Sequence, residues 1–497
     1  TQNLVPSGVP VRLRISLPKK MRTKKSKFKV SRLDYIEPVE VWKKFESYSN
    51  VIFLDSAGEQ SENNRYSYLA ISPLCNFKIE NKKLYKDDIE IKNGIKNYFK
   101  NILKKCSHKK VSNVPPFQCG FSGYVTYDLC LNIENVKQIA KKENKYPDLQ
   151  FGLFDIVIAF DLKLKKAFLF SINLDHLNLS KNSVTHDTRR KEILSRYKLS
   201  YIPRAHKNFG SLKWFQEMPK KEYKRKINII KKYIKQGDIF QANFTHSFWS
   251  KNTKLVPHNN IYLKFRKKTC TPFSAFLNFG PFTICSFSPE RFIKLNNNII
   301  TTSPIKGTIK RSDDPVIDNR LKEELSSSEK NIAENLMIVD VLRNDISRVS
   351  KKGSVEVTEL AKIKSYKNVH HLVSTIKGSL SEKLDAIDLL FATLPGGSIT
   401  GAPKIRAMEI ISELEKNRRG VYCGAIGFIS FSKDSDFNIP IRTLTIADDT
   451  ISINCGGGIV SDSNAESEYQ ESIDKIENIL KENRKKIIKQ SSNVNQK

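Results

Sequence analysis

The sequence predicts an α+β fold built on large, mainly antiparallel sheets. Three observations carry this. Strand-like runs occur in groups, not in the strict alternation with helices that a doubly wound parallel fold requires. Only a few stretches show a clear helical period. The 497 residues are 39% hydrophobic and 10% aromatic, enough to bury a large core and to form two lobes.

Residues 1–20 (TQNLVPSGVPVRLRISLPKK) have no clear period and precede Met21. Residues 1–26 therefore read as a disordered or non-native extension; the arginines without acids make a transit peptide the minority alternative. Residues 27–200 form a first lobe with strands in VIFLDSA, YSYLAI, FDIVIAFDL and KAFLFSI, apolar runs bounded by turn residues. The polar stretch at about 178–208 reads as a linker. Residues 201–485 form the second region. It opens with a basic amphipathic helix at about 219–236, whose stripe is Tyr223, Ile227, Ile230 and Tyr233. Strands FQANFTHSFW, FSAFLNFG, FTICSFS and RFIKL follow, then helices at about 327–348 and 402–416. Strands VYCGAIGFISF, FNIPIRTLTIAD and TISINCGGGIV precede a last helix at about 465–483. Residues 486–497 read as a frayed tail. No internal repeat is visible.

The chain carries 85 Lys and Arg against 52 Asp and Glu, a net charge of +33. The lysines are spread among abundant Asn and Ile, not gathered beside a nucleic-acid-binding pattern, so specific nucleic-acid recognition is not indicated. Non-specific attraction to polyanions at low salt remains an expectation. The eight cysteines form no CxxC pair and no metal spacing, so free thiols in a reducing cytoplasm are expected. No apolar run reaches membrane-spanning length.

Several groups of residues are suited to chemistry. Lys306, in Ser303-Pro304-Ile305-Lys306-Gly307-Thr308, is a cation at a strand-to-turn position; locally it reads as a nucleophile or as one more surface charge. The loop LPGGSITGAPK (394–404) opens a helix, with Thr400 a candidate cap. It lacks the Gly-Lys-Ser/Thr ending of a phosphate loop. Its backbone N–H groups and Lys404 can receive a carboxylate, or it is an ordinary turn. Gly456-Gly457-Gly458 reads equally as a bulge or as close approach of a ligand. Glu334 shares a helix face with Ile338, Val341 and Leu342, and an apolar face gives a carboxylate reason to find a partner. Glu471 follows Glu468 by one turn. Carboxylates completed by water suit Mg²⁺, although a solvated helix charge is the better reading for an arbitrary Glu. Glu290 in SFSPERF is a general acid or an exposed turn; His371 alone reads as a core histidine. No Ser-His-Asp elbow appears.

Taken in order, SFSPERF, AENLMIVDVLRND, HHLVSTIKG, LPGGSITGAPKIRAMEIISELE, GVYCGAIGFIS, IRTLTI and CGGGIVSDS…EYQESIDK resemble the chorismate-utilising enzymes. These are component I of anthranilate synthase and of aminodeoxychorismate synthase, and the isochorismate and salicylate synthases. The likeness spans about 215–485, with a looser match through FLDSA, NRYSYL and GYVTYDL. It implies an α/β sandwich of two large sheets with the site in the cleft between them. Enzymes of the family that add water carry a lysine where this chain has Gln241. Anthranilate synthases carry PIAGT where this chain has PIKGT. Lys306 therefore marks the aminodeoxychorismate branch.

The resemblance implies catalytic roles for Lys306, as nucleophile at C2 of the chorismate ring, and Glu290, as general acid. It implies Mg²⁺ held by Glu334 and Glu471, with Glu468 through water. It implies substrate contacts from Asn243, Thr308, His371, Thr400, Lys404, Tyr422, Arg442, Gly456 and Gly457, Arg442 making a forked contact. It further implies a heterodimer with a glutamine amidotransferase subunit that supplies ammonia. The downstream aminodeoxychorismate lyase would be a separate protein, since the chain shows neither a glutaminase elbow nor a lyase region. Two other readings stay open: anthranilate synthase component I, and a basic binding protein that has lost catalysis.

Overall fold

In the computed structural model the described residues are 28–480, except 59–63, 93, 143–145, 181–183, 201–211, 253–255 and 367–368. The expected extension at 1–26 and tail at 486–497 lie outside them.

Among the described residues two sheets of 12 strands form, and the pairings between their strands are antiparallel. Both draw strands from both sides of residue 200. Val51–Asp55 pairs with Phe273–Asn278 in the first sheet, and Gly120–Val125 pairs with Ala425–Ser430 in the second. The expected division near 200 thus does not separate two cores. One large apolar cluster takes residues from both sheets, among them Tyr68, Phe121, Phe170 and Phe428. A second cluster covers the outer face of the first sheet, with Trp42, Phe53, Tyr262 and Phe287 at its centre.

The elements around the site are few. Helix α1 (Lys220–Lys235) buries Tyr223, Ile227 and Ile230 as its spacing predicts. Strand β1 (Gln241–Lys251) and strand β2 (Phe282–Ser288) belong to the first sheet. Strand β3 (Ile305–Lys310) pairs with β4 (Val369–Ser379) at the end of the second. Between these two strands lie helix α2 (Pro315–Ser327), capped by Asp314, and helix α3 (Glu329–Ser347), capped by Ser328. Helix α4 (Lys404–Leu414) packs with α1 against β1. Strand β5 (Thr450–Ile459) pairs with β1, and helix α5 (Ala465–Asp474), capped by Asn464, lies on β5 and α1.

Several local expectations are corrected. The stretch read as a linker contains the helix His186–Lys198. Its sequence lacks a strong apolar stripe because polar ties anchor it: Arg189 grips buried Asp155 with both guanidinium nitrogens, at 2.8 and 2.6 Å, and His186 reaches the same carboxylate at 2.8 Å. FNIPIRTLTIAD is two strands, Ser435–Asn438 in the second sheet and Thr443–Ala447 in the first. The break falls at Pro440–Arg442, where Arg442 takes φ 52°. Thr400 does not cap α4. Pro403 is its N-cap residue, and the Thr400 hydroxyl donates to the Gly396 carbonyl at 2.8 Å. Of the eight free cysteines seven are buried, and Cys270 is exposed.

Candidate active site

Lys306 lies in β3, half-buried, among charges drawn from three other parts of the chain. Burial lowers its proton affinity and like-charged Lys475 adds to the effect, while Glu334, Glu290 and Glu471 oppose it. The net direction is down, toward the neutral amine. Glu290 follows β2 and is 8% exposed. Burial raises its pKa, against the lowering influence of Lys306 and of the Ser398 hydroxyl, which donates to Oε1 at 3.1 Å. Amine and carboxyl are therefore both biased toward their uncharged forms.

The three glycines of β5 separate into two kinds. Their pairing with β1 runs without a register shift, Thr245 opposite Gly456 through Asn243 opposite Gly458, so they are not a bulge. A Cβ on Gly456 would lie 2.1 Å from the Phe244 carbonyl oxygen, and one on Gly458 would lie 2.5 Å from Gln241 Nε2. Both are demanded by packing. Gly457 alone faces charge: its Cβ position lies 3.3 Å from Lys475 Nζ, 3.5 Å from Glu468 Oε2 and 3.9 Å from Glu471 Oε1.

Glu468, Glu471 and Lys475 sit at helical spacing on and just beyond α5. Lys475 Nζ lies 2.8 Å from Glu471 Oε1 and donates to the Gly456 carbonyl at 3.1 Å. Glu468 is buried, accepts from Ser463 at 2.7 Å, and has its pKa raised by burial and then by the like charge of Glu471. Burial acts to raise the Glu471 pKa as well, but Lys475, Lys330 and Lys306 outweigh it and the net shift is down. Among the described residues no three His, Cys, Asp or Glu side chains stand close enough to hold a metal unaided. Two carboxylates facing a bare glycine nevertheless fit a hard cation that keeps water or substrate oxygens in its shell. The Lys475 ammonium stands where such a positive charge is wanted.

Other expected residues divide. Thr308 and His371 meet across β3 and β4, Oγ1 to Nδ1 at 2.8 Å. Burial, then Arg442 and His370, lower the His371 pKa to about 4, so its ring is neutral at ordinary pH. Arg442 is lowered by burial alone, a cation with no counter-charge beside it among the described residues and suited to an anionic ligand. Tyr422 is buried. Asn243 and Thr400 are joined by the Asn243 N–H to the Thr400 carbonyl at 2.8 Å, and the Asn243 amide donates to the Ile399 carbonyl at 3.1 Å.

Lys404 is not brought to Lys306. Its ammonium donates to Asp345 at 2.5 Å and to the Thr393 carbonyl at 3.4 Å, tying α4 to α3. The Gly-rich loop spends N–H groups internally, Ile399 to Gly396 and Thr400 to Gly397. Gly401, at φ 143°, approaches β1 so closely that a Cβ would sit 2.2 Å from the Gln241 carbonyl. Both Gln241 side-chain amide atoms are buried without a partner.

Sequence reasoning missed Lys475, Ser398 and Arg419. Lys475 was accessible, four residues after Glu471 on one helix face. Ser398 reaches Glu290 across 108 residues of sequence, with no local signal.

A family model described as chorismate binding enzyme matches residues 50–481. The chain belongs to the chorismate-binding enzyme family. Aminodeoxychorismate synthase component 1 of Escherichia coli (strain K12) is 42% identical over 367 residues, 74% of this chain and 77% of that protein. Anthranilate synthase component 1 of Acetivibrio thermocellus is 34% identical over 464 residues, 90% and 93% of the two chains. Among solved structures, anthranilate synthase component I from Streptococcus pneumoniae TIGR4 superposes with a TM-score of 0.74 at 31% identity, covering 85% of this chain and 93% of that one. The family's two-sheet architecture is that of this chain.

Proposed function

We propose that this member of the family aminates chorismate to 4-amino-4-deoxychorismate, a step toward 4-aminobenzoate and folate. Ammonia comes from a separate glutamine amidotransferase subunit, and a separate lyase consumes the product. The carrying observation is the pairing of Lys306 with Glu290, a half-buried amine and a buried carboxyl both displaced toward neutrality.

In this reading the neutral Lys306 amine attacks C2 of the ring. The two conjugated ring double bonds shift, the C4–oxygen bond breaks, and the hydroxyl leaves as water with the Glu290 proton. Ammonia then forms a bond to C4, both double bonds shift back, and the C2–nitrogen bond to Lys306 breaks. The excess proton from ammonia returns to the basic groups, so atoms and charge balance. The covalent adduct divides one difficult displacement into two. Arg442, aided by Tyr422 and the neutral His371–Thr308 pair, receives a carboxylate of the substrate. Asn243 and Thr400 shape the pocket floor.

Glu334 and Glu471, with Glu468 through water, would hold Mg²⁺, which when bound supplies positive charge to a substrate carboxylate. Lys475 shares that duty from the α5 side. The buried free thiols fit a reducing, cytoplasmic setting. Among the described residues no helix is long and apolar enough to cross a membrane.

The test uses the purified chain with chorismate, Mg²⁺ and ammonium, the products separated and identified. 4-Amino-4-deoxychorismate, lost in Lys306→Ala, is the expected result. Anthranilate with pyruvate overturns the proposal in favour of the sister reaction.

A further inference from the structure

Helix α5 is tied to the first sheet by a closed circuit of hydrogen bonds that the catalytic reading does not use. The Tyr469 hydroxyl donates to Gln216 Oε1 at 3.1 Å. The Gln216 amide nitrogen lies 3.4 Å from His246 Nδ1, and His246 Nε2 lies 2.9 Å from the Ser472 hydroxyl. That hydroxyl donates back to the Tyr469 carbonyl at 2.7 Å, so the circuit starts and ends on one residue.

The directions leave one consistent protonation. Ser472 has spent its proton on Tyr469, so it accepts from His246 Nε2–H. Nδ1 is then the lone pair that accepts from the Gln216 amide. Cys455 Sγ, 3.2 Å from Nε2, is a second, weaker acceptor. Burial holds His246 neutral, lowering its pKa to about 3, and the ring packs 4.4 Å from that of Tyr223 on α1. Ser472 is fully buried and His246 is 4% exposed.

The anchored residues are not arbitrary. Tyr469 directly follows Glu468, and Ser472 directly follows Glu471. Glu468, Glu471, Ser472 and Lys475 fall at i, i+3, i+4 and i+7, one face of the helix. Rotation of α5 about its axis is what aims both carboxylates at Gly457. On a helix about 5–6 Å in radius, a turn of about 20° moves a side-chain tip by about 2 Å. Metal ligation tolerates only about 0.2 Å. A directional hydrogen bond to each carboxylate's neighbour constrains that angle.

We propose that Tyr469, Gln216, His246 and Ser472 form a positioning ring that sets the rotation of α5 and so the aim of Glu468 and Glu471. His246 and Ser472 are its central members. Neither touches substrate; both act through the carboxylates, and the inference rests on those carboxylates facing a divalent cation.

The experiment compares the parent with His246→Leu, Ser472→Ala and His246→Gln, the last keeping an N–H near the place of Nε2. Mn²⁺ binding to the chorismate-free protein is read by electron paramagnetic resonance. Mg²⁺ dependence of turnover is read separately, and amide exchange of 465–474 reports on the helix. Expected for His246→Leu and Ser472→Ala is about 10- to 100-fold weaker metal binding, the range of an outer-shell loss. Turnover at saturating Mg²⁺ stays within about threefold of the parent, because the chemistry's own groups are intact. His246→Gln recovers most of the binding. Unchanged metal binding in Ser472→Ala overturns the inference even if His246→Leu fails to fold. So does weakening that His246→Gln shares in full alongside a lowered melting temperature, the mark of a merely structural role. A parent protein that binds no metal and needs none overturns the proposed function, and this inference with it; a metal-binding parent with unaffected variants overturns this inference alone.

Discussion

Replacing Arg419 with Met removes the cation that ties the floor of the cleft together. The guanidinium is 3% exposed and makes four hydrogen bonds. Nε donates to Glu415 Oε2 at 2.9 Å, Nη2 to Glu415 Oε1 at 2.7 Å and to the Asn243 carbonyl at 2.5 Å, and Nη1 to the Ile399 carbonyl at 2.8 Å. Its Cζ lies 4.3 Å from the centre of the Tyr127 ring. Arg419→Met therefore leaves Glu415, 6% exposed, as an unpaired buried charge and frees two carbonyls beside the Gly-rich loop. Breaking such a pair by removing one partner costs about 3–5 kcal/mol. The penalty is mostly the stranded charge, not the lost bond, so neutralising the other partner should recover much of it. In Arg419→Met/Glu415→Gln the amide oxygen still accepts from the Thr245 N–H and hydroxyl, held by Glu415 at 2.9 and 2.8 Å. The double variant should then be more stable than Arg419→Met alone, with a coupling energy of about 0.5–3 kcal/mol. Urea unfolding of the parent, both single variants and the double closes the cycle. Chorismate KM should rise in Arg419→Met, because Ile399 and Asn243 lose their shared anchor. Additive losses, with the double variant the least stable of the four, would refute the stranded-charge argument.

Three further outcomes are expected. Lys306→Ala should lower ammonia-dependent turnover by on the order of 100-fold or more, the scale of a lost catalytic group, while chorismate binding by calorimetry persists. Glu471→Gln should raise the Mg²⁺ concentration for half-maximal activity by about tenfold or more; an unchanged titration removes Glu471 from the ligand set. Lys475→Met removes a like charge that depresses Lys306, so the Lys306 pKa should rise. Activity that needs the neutral amine then requires higher pH, and at fixed free ammonia the ascending limb should move up; a limb that stays in place or moves down contradicts the assignment.

The sheet-forming runs were legible because a short apolar run bounded by turn residues is a local signal. VIFLDSA, YSYLAI and KAFLFSI are strands at Val51–Asp55, Tyr66–Ile71 and Lys166–Ile172. Helix α1 was equally plain, since one face carries its buried residues. What the sequence hid depends on distant partners. The His186–Lys198 helix reads as a linker until Asp155 is seen to hold it. In the site, the type of each residue was legible and its service often was not. Three consecutive glycines invite one explanation, yet Gly456 and Gly458 answer to β1 and only Gly457 to charge. Lys404 lies in the motif but is spent on Asp345, an engagement that no pattern in LPGGSITGAPK announces.

The proposed nucleophile stands among three glutamates, and carboxylates hold protons on amines. Burial answers for both members of the central pair. A low-dielectric cleft penalises the Lys306 ammonium and the Glu290 carboxylate alike, and moving one proton from the first to the second relieves both penalties. Both shifts run toward the free amine and the protonated acid, the forms that the proposed attack at C2 and departure from C4 call for. Glu334 and Glu471 pull the other way, so their charge must be met by something other than Lys306. Lys475 already meets part of it, at 2.8 Å from Glu471. Any positive charge added beside those carboxylates weakens their hold on the Lys306 proton. The arrangement thus makes the nucleophile's readiness depend on how fully the α3 and α5 carboxylates are neutralised. Glu334→Gln tests this with a definite sign: it should lower the Lys306 pKa further, opposite to Lys475→Met, even as it weakens the response to Mg²⁺.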